Sequence, residues 1–393
     1  MICPFCSLLC DAANLKEIQC DRRTASLVQF ESLRSLKAGL PRQGKQVDPT
    51  ESLRAAKRIL ITGRIASVAT ARAAVAFAAK YNATIDCAES GHVFKNVLAI
   101  QRSGLNSVSL AEARDHSDLF IVVGDDSMLT ACPRLPEALF GGKPVPQTVL
   151  LLGDFSIATA EHWKSAGFDT WSVPCDLRTV PSALAQWARS SVQSPSNRSS
   201  ETHPTKKLFE RMAQAEYTTV VWSAENLKFD QADLWVERLL QWIAGRNETT
   251  RCAALPWSSL DGTFQQVCTW LTGFPGRVAF RDGIPQYDPN GHSYEQWIAR
   301  PPVGMSLESI IVLIDETASL TPFLNSESMR AFGLCKVIEL TGNSRRFPTA
   351  IAGVEVLADI FRADQTLLAR VFPERKLGPS VKTAAEWLEG LSQ

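Results

Sequence analysis

The sequence has no excess charge of either sign and no long apolar run. Lysine and arginine together number 41, as do aspartate and glutamate, so the formal net charge at pH 7 is zero. Without a basic face the chain has little electrostatic attraction for nucleic acid or for an anionic membrane. Apolar runs such as LFIVV at 119–123 are far shorter than the ~20 residues that cross a bilayer. The sequence therefore predicts neither a nucleic-acid-binding protein nor a membrane protein.

The first residues, MICPFCSLLC, lack the basic and apolar regions of a signal peptide. Without an export signal, ten cysteines indicate reduced thiols or metal ligands rather than disulfides. Histidine is scarce, and four of the five histidines have no partner at ligand spacing: His116, His162, His203 and His292. These features predict a cytoplasmic protein whose metal chemistry, where present, depends on cysteine.

Short apolar segments alternate with helical segments along most of the chain. Typical strand candidates are RILITGR at 58–64, DLFIVVGDD at 118–126, QTVLLLGDF at 147–155, YTTVVWS at 217–223, TRCAALPW at 250–257, SIIVLIDE at 309–316 and CKVIELTG at 335–342. Buried apolar strands separated by helices are typical of α/β proteins with parallel sheets. Such folds bind ligands outside the carboxyl ends of their strands. The fold class predicted from these patterns is therefore α/β.

Changes in composition suggest five segments. We predict a cysteine-rich segment at 1–50, α/β domains at 51–190 and 207–348, an exposed linker at 191–206, and a carboxyl-terminal segment at 349–393 that packs on the core. The linker is assigned because its Ser-, Pro-, Asn- and Thr-rich sequence cannot bury a core. Two similar α/β units around one linker predict a cleft that takes a large cofactor.

Four cysteines near the amino terminus form the strongest local motif, Cys3-x2-Cys6-x3-Cys10-x9-Cys20. Four thiolates at this spacing can hold a [4Fe–4S] cluster or zinc, and three close cysteines with a distant fourth favour the cluster. The alternative is that they are small buried apolar residues. The other six cysteines lie in apolar surroundings and are expected to pack in the core.

Several of these stretches together resemble a known family. They are CPFCSLLCD at 3–11, VLAIQ at 97–101, DLFIVVGDDSMLTACPR at 118–134, WSSLDGTFQQVCTWLTGFPGRVAFRDGIPQYDP at 257–289 and FPTAIAGVEVLADIFRADQTLL at 347–368. The pattern resembles the molybdopterin-oxidoreductase superfamily. More narrowly, it is similar to the B-type subunit of formylmethanofuran dehydrogenase and to the related subunit of bacterial formyltransferase/hydrolase complexes.

The resemblance implies a molybdopterin-oxidoreductase-like fold, with two parallel-sheet α/β units around a cleft and a small cysteine-rich segment. It implies that a pterin nucleotide would contact the turn at Gly124 and Asp125 and the loop at Thr272 and Gly273. Each pair also has a simpler interpretation, because Gly-Asp-Asp after a strand can cap the next helix and Thr-Gly-Phe-Pro is a common turn sequence.

A departure from the family concerns its metal ligand. Active dehydrogenases of this family carry a Cys-His pair, and the cysteine thiolate binds molybdenum or tungsten. Alignment from Asp86 and from Gln101 places His92 at the cysteine position and Val93 at the histidine position, while Cys87 lies five residues earlier. Valine can neither transfer a proton nor form a hydrogen bond, and imidazole is not a soft thiolate. The resemblance therefore predicts no catalytic residue here and no molybdopterin with molybdenum or tungsten.

A second departure concerns the cysteine motif. The family places a β-hairpin between its third and fourth cysteines, whereas only nine residues separate Cys10 from Cys20. The shorter spacing leaves room for a tight turn at most.

The predicted function is that of a redox-inactive scaffold subunit in a complex of one-carbon metabolism and formaldehyde oxidation. The resemblance implies hydrolase, transferase and small partner subunits, which pass a formyl group from tetrahydromethanopterin to a methanofuran-like carrier and release formate. One alternative is an active formylmethanofuran dehydrogenase subunit in which Cys87 or His92 binds the metal. Another is an isolated iron–sulfur electron carrier.

Overall fold

The computed structural model describes residues 1–12, 18–37, 49–87, 90–142, 147–192, 210–257, 262–299, 309–317, 336–341, 347–373 and 381–393. The chain divides into two compact units. The first unit contains Met1–Gly91 and Ser259–Gln393, and the second unit contains His92–Ser258. None of the described helices is long and apolar enough to cross a membrane.

The strands and helices alternate along most of the described chain. The strands are β1 (Arg58–Arg64), β2 (Thr84–Ile85), β3 (Leu119–Asp125), β4 (Thr148–Asp154), β5 (Asp169–Val173), β6 (Tyr217–Ser223), β7 (Arg251–Trp257), β8 (Val278–Arg281), β9 (Ile284–Tyr287), β10 (Ser309–Asp315), β11 (Lys336–Thr341), β12 (Phe347–Pro348), β13 (Ala358–Phe361) and β14 (Leu368–Val371). The helices are α1 (Asp21–Lys37), α2 (Pro49–Ala55), α3 (Val68–Lys80), α4 (Ser90–Ser103), α5 (Leu110–His116), α6 (Ser127–Ala131), α7 (Leu135–Leu139), α8 (Ile157–Ser165), α9 (Val180–Val192), α10 (Ala232–Arg246), α11 (Gly262–Thr272), α12 (Tyr294–Ala299) and α13 (Ala384–Leu391).

The first unit is built on a seven-stranded sheet with the order β12-β11-β10-β1-β2-β8-β9. Its strands from β12 to β2 pair in parallel, whereas β8 pairs antiparallel with both β2 and β9. Ile59 and Ile61 of β1 pack into the core formed with α3, α11 and α13, while Leu60 packs with Trp297 in another cluster. This alternation is expected because successive side chains of a strand point to opposite faces.

The second unit contains a five-stranded sheet with the order β5-β4-β3-β6-β7, in which every pairing is parallel. Ile121 and Val123 belong to a core shared with α9 and α10. Phe120 forms an edge-to-face contact with Phe168, with ring centroids 5.5 Å apart. Helices on both faces explain why β3 and β4 are apolar almost throughout.

The two units do not follow the predicted domain boundaries. We expected one α/β domain at 51–190 and another at 207–348, but β3 pairs with β6, and β1 pairs with β10. Strands from both sides of the predicted linker therefore share each sheet, and the second unit is an insertion in the first. The linker prediction, 191–206, lies largely outside the described residues, and its first two residues end α9.

Both ends of the chain pack within the first unit. Ile2 and Asp11 form an antiparallel bridge, and the backbone carbonyl of Ser7 accepts the N–H of Ala363 at 3.0 Å. These contacts place residues 1–12 against the β13–β14 hairpin. At the other end, Ala384, Leu388 and Leu391 of α13 are buried in the core that contains α3.

Candidate functional site

The turn after β3 contains Gly124 and Asp125, two of the residues predicted to contact a cofactor. The Asp125 Oδ1 atom accepts the backbone N–H of Ser127 at 2.8 Å. A Cβ atom at Gly124 would lie 2.6 Å from the Met128 sulfur, so only glycine fits without a shift. From the end of β6, the Asn226 Nδ2 donates to the Ser127 hydroxyl at 2.8 Å. Among the described residues, the buried Asn226 Oδ1 has no hydrogen-bond partner.

Asp126 completes this turn by binding the next βα connection. Its Oδ1 accepts the backbone N–H of Ser156, at the start of α8, at 2.9 Å. Burial raises the pKa of Asp126, but hydrogen bonds from Thr159 and Ser156 outweigh it and hold the pKa below the ordinary value. The described contacts of the Gly-Asp-Asp turn are thus those of helix capping, the simpler of its two interpretations.

Thr272 and Gly273 end helix α11 in the first unit. The Thr272 hydroxyl donates to the carbonyl of Cys268 at 2.7 Å and accepts the N–H of Phe274 at 3.1 Å. Gly273 has a φ of +83°, a left-handed conformation that glycine adopts without strain. These contacts close the helix. The four predicted cofactor residues are divided between the units, with Gly124 and Asp125 in the other one.

A buried carboxylate occupies the amino terminus of helix α3 in the first unit. Glu316 directly follows β10, and its Oε2 accepts the backbone N–H groups of Ala66 and Ser67, each at 3.1 Å. The hydroxyl of Ser67 donates to Oε1 at 3.0 Å, and that of Thr70 donates to the same oxygen. Burial raises the pKa of Glu316 above its ordinary range, although these donors oppose the rise.

This carboxylate bears on the fit of a pterin dinucleotide. In open α/β sheets, a helix amino terminus that follows a parallel strand is the usual binding place for a ligand phosphate. Here β1 leads into α3 through that geometry, but the protein's own Glu316 holds the exposed N–H groups. A second anion at the same donors would meet a fully buried negative charge. The residues at this βα connection therefore do not fit a phosphate-bearing cofactor.

A second buried carboxylate, Asp86, lies just after β2. The Asp86 Oδ2 accepts the hydroxyl of Ser90 at 2.6 Å and the backbone N–H of Tyr294 at 2.8 Å. The Arg277 Nε lies 3.8 Å from this oxygen, and its Nη2 donates to the Ser90 hydroxyl at 3.1 Å. Burial raises the pKa of Asp86 to about 7, although Arg277 lowers it. These contacts join the connection after β2 to β8 and α12.

The two residues at the family's metal-binding positions lie in the first turn of α4. His92 is half-buried, and its Nδ1 lies 3.4 Å from the ammonium of Lys95. That ammonium also donates to the carbonyl of Leu227 at 2.5 Å, and its burial lowers the pKa of Lys95. Val93 is 8% exposed. The imidazole thus has a cation as its neighbour, which disfavours binding of a metal ion at the same ring nitrogen.

Cys87, the nearest thiol in sequence to His92, does not replace the missing ligand. Its side chain is fully buried in the apolar core of the first unit, with Phe264 and Val267 among the members of that core. A thiol in apolar surroundings resists ionisation, whereas a metal ligand must be a thiolate. The alternative in which Cys87 binds molybdenum or tungsten would need a different packing of this connection.

The four amino-terminal cysteines lie within the described residues. Cys3 and Cys6 are buried, and Cys10 and Cys20 are half-buried. The backbone N–H of Cys3 donates to the carbonyl of Cys10 at 2.9 Å, which closes a tight loop. In the described part of the chain, no three Cys, His, Asp or Glu side chains are close enough to hold one metal ion. This conformation does not fit a four-thiolate cluster, so ligation by the four cysteines stays a prediction.

Sequence reasoning did not identify the charged residues that organise these regions, Glu316, Arg277 and Lys95. A signal was present for Glu316, because an acidic residue at the end of an apolar strand is often a functional group of an α/β sheet. The contacts of Arg277 gave no local signal, because Ser90 lies 187 positions earlier in the chain.

Comparison with known proteins identifies two relatives. No protein-family model matches the chain. The B-type subunit of the tungsten-containing formylmethanofuran dehydrogenase 2 of Methanococcus maripaludis is 21% identical over 322 residues, which cover 74% of this chain and 73% of that protein. One chain of the formyltransferase/hydrolase complex (FhcABCD) of Methylorubrum extorquens, solved by X-ray crystallography with methylofuran, matches with a TM-score of 0.68 at 19% identity. That match covers 89% of this chain and 96% of the other.

The structural match confirms the predicted fold class, because an α/β architecture with parallel sheets is shared over most of both chains. The sequence match, although weak, extends over nearly three quarters of each protein. Together they confirm the resemblance stated from the sequence, and the chain is a distant homologue of the B-type subunit of formylmethanofuran dehydrogenase.

Proposed function

We propose that this chain is a redox-inactive scaffold subunit of a cytoplasmic formyltransferase/hydrolase complex in one-carbon metabolism. The relative from Methanococcus is the subunit of a tungsten-containing dehydrogenase, and the structural neighbour is part of a formyltransferase/hydrolase complex. The choice between these two activities depends on whether this chain can bind and use a redox metal.

The pair His92 and Val93 carries the proposal. A molybdenum or tungsten centre of this family needs a thiolate ligand and a neighbouring group that transfers protons. Here the first position holds an imidazole 3.4 Å from the Lys95 ammonium, and the second holds a buried valine. An aliphatic side chain cannot transfer a proton, and a fixed ammonium repels a metal cation. Formate oxidation at this position is therefore not supported.

The Glu316 carboxylate supports the same proposal from another part of the chain. It satisfies the N–H groups at the start of α3 that could otherwise bind a phosphate. The loss of a metal ligand and the internal occupation of an anion site both favour a subunit without a pterin dinucleotide. Transfer and hydrolysis of the formyl group would then take place on partner subunits.

Replacement of His92 by alanine is expected to leave formyl transfer and hydrolysis by the assembled complex within about twofold of wild type. The reason is that a half-buried imidazole next to Lys95 has no chemical task in the proposal. The rates are measured on complexes co-purified from cells that express the chain with its partner subunits. Omission of the chain is the control, and it is expected to abolish assembly. A loss of about 100-fold or more in an intact His92→Ala complex would show that His92 is catalytic.

A further inference from the structure

A pocket of about 550 Å³ lies in the first unit at the amino ends of β1 and β2, away from the carboxyl ends that hold Glu316 and Asp86. This volume is within the range of small-molecule sites. Its rim is mostly cationic, with three basic side chains and one histidine against a single carboxylate, and these five residues are Lys57, Arg58, Arg281, His292 and Asp282. The formal charge of this lining is +2 with the histidine neutral.

The guanidinium of Arg58 is held in place by an aromatic ring. Its central carbon lies 4.4 Å from the ring centroid of Trp297, and its Nη2 donates to the carbonyl of the same residue at 3.4 Å. Trp297 itself is 8% exposed and packs with Leu60 and Ile311. Because the ring is fixed in the core, the cation that stacks on it loses little freedom when it binds a ligand.

Two left-handed residues shape the opposite rim. Asn82 has a φ of +50° and Asp282 a φ of +51°, so both stand at sharp turns. The Asn82 Oδ1 accepts the backbone N–H of Gly283 at 3.4 Å. This contact links the turn before β2 to the β8–β9 turn, where Arg281 ends β8. The rim that presents Arg281 is therefore part of a connected turn rather than a free loop.

The carboxylates nearest to this lining have contacts of their own. The Asp288 Oδ1 accepts the N–H groups of Asn290 and Gly291 at 3.0 and 2.8 Å. Glu295 lies 3.9 Å from Arg277. Both acids are thus engaged away from the pocket, and Asp282 is the carboxylate that opposes its positive charge.

We propose that this pocket binds a small ligand with at least two anionic groups, phosphate or carboxylate. Arg58 and Arg281, on separate rims, would each take one group, since guanidinium pairs with both kinds of oxyanion. The proposal does not depend on the proposed scaffold function, because the pocket lies at the amino ends of the strands and shares no residue with the predicted metal and cofactor positions.

Titration calorimetry of the full chain with pyrophosphate, and separately with citrate, tests this proposal. Arg281→Ala is expected to weaken the tighter ligand about tenfold, because it removes one charged hydrogen-bonding partner. Asp282→Asn is expected to strengthen binding, because it removes the opposing charge. Stronger binding of pyrophosphate would identify phosphate as the preferred group, and stronger binding of citrate would identify carboxylate. Lys164→Ala, which removes an exposed charge outside the pocket, is the matched control and is expected to have no effect.

Two results would overturn the proposal. One is the absence of binding heat for both ligands up to ~10 mM at low salt. The other is equal weakening by Arg281→Ala and Lys164→Ala, because it would mean that the anion responds only to the overall charge of the protein.

Discussion

Replacing Glu316 by alanine is expected to lower the free energy of unfolding by about 3–5 kcal/mol, because several buried donors lose their acceptor together. The backbone N–H groups of Ala66 and Ser67 and the hydroxyls of Ser67 and Thr70 all donate to this carboxylate. A buried donor without a partner costs about 1–3 kcal/mol, and partial relaxation toward water reduces the sum. Urea unfolding of the purified chain measures the change.

Two further variants make this test specific. Glu316→Gln keeps the shape of the side chain but turns an amide nitrogen toward some of the donors, so a smaller loss is expected. Glu339→Gln changes an exposed side chain of β11 and is expected to alter stability by no more than about 0.5 kcal/mol. A loss below about 1 kcal/mol for Glu316→Ala would contradict the assignment of Glu316 as the acceptor that completes this helix terminus.

The same variant tests whether Glu316 fills an anion site. In Glu316→Ala the donors at the start of α3 are free to bind a small carboxylate. Acetate at ~100 mM is therefore expected to stabilise this variant more than wild type, as any ligand does that binds the folded state selectively. Chloride at equal ionic strength is the control. Equal effects of acetate on both proteins would mean that the terminus does not accept an external anion.

Replacing Arg277 by methionine is expected to cost about 3–5 kcal/mol at pH 7, the usual result of removing one partner of a buried ion pair. Arg277 is 7% exposed, and it donates to the Ser90 hydroxyl and to the carbonyl of Pro289. Its loss leaves the fully buried Asp86 without a nearby cation. The pKa of Asp86 is then expected to rise further, because Arg277 lowers it in the wild type.

Asp86 also predicts the sign of a pH dependence. Its pKa in the folded chain is about 7, against an ordinary value of 3.8, so between these values the folded state holds a proton that the unfolded state has lost. The contribution of Asp86 to stability is therefore complete below about pH 4 and is lost as the pH rises through 7. The shift limits this contribution to about 4 kcal/mol.

Urea unfolding of wild type and Asp86→Asn between pH 4 and pH 8 measures this dependence. The variant has no titrating group at this position, so its stability is expected to fall less over the same range. Asp230→Asn, an exposed substitution, is expected to keep the wild-type slope. Identical slopes for wild type and Asp86→Asn would contradict the raised pKa.

Local patterns in the sequence predicted the strands well. RILITGR coincides with β1 and YTTVVWS with β6, because a short apolar run with clear flanks leaves few alternatives. The end of α10 was less certain, because Gly245 was expected to close it and the helix extends to Arg246. The domain boundaries were wrong because composition does not determine which strands pair, and β1 pairs with β10 across the inserted unit.

The candidate site was predicted only in part for the same reason. His92 and Val93 were identified because a family pattern fixes their positions. Glu316 was not, since it contacts Thr70 across 246 positions of the chain. Arg277 and Asp86 likewise come together only when β8 pairs with β2. Buried charges of this kind are fixed by tertiary packing, so a single sequence gives little sign of them.

The metal content of the assembled complex tests the central proposal most directly. The complex is purified without oxygen, molybdenum, tungsten and iron are measured per chain, and formate-dependent dye reduction is assayed on the same sample. About four irons would support the predicted cluster at Cys3, Cys6, Cys10 and Cys20. A redox-inactive scaffold predicts no stoichiometric molybdenum or tungsten and no dye reduction. Stoichiometric molybdenum or tungsten together with formate-dependent dye reduction would contradict it.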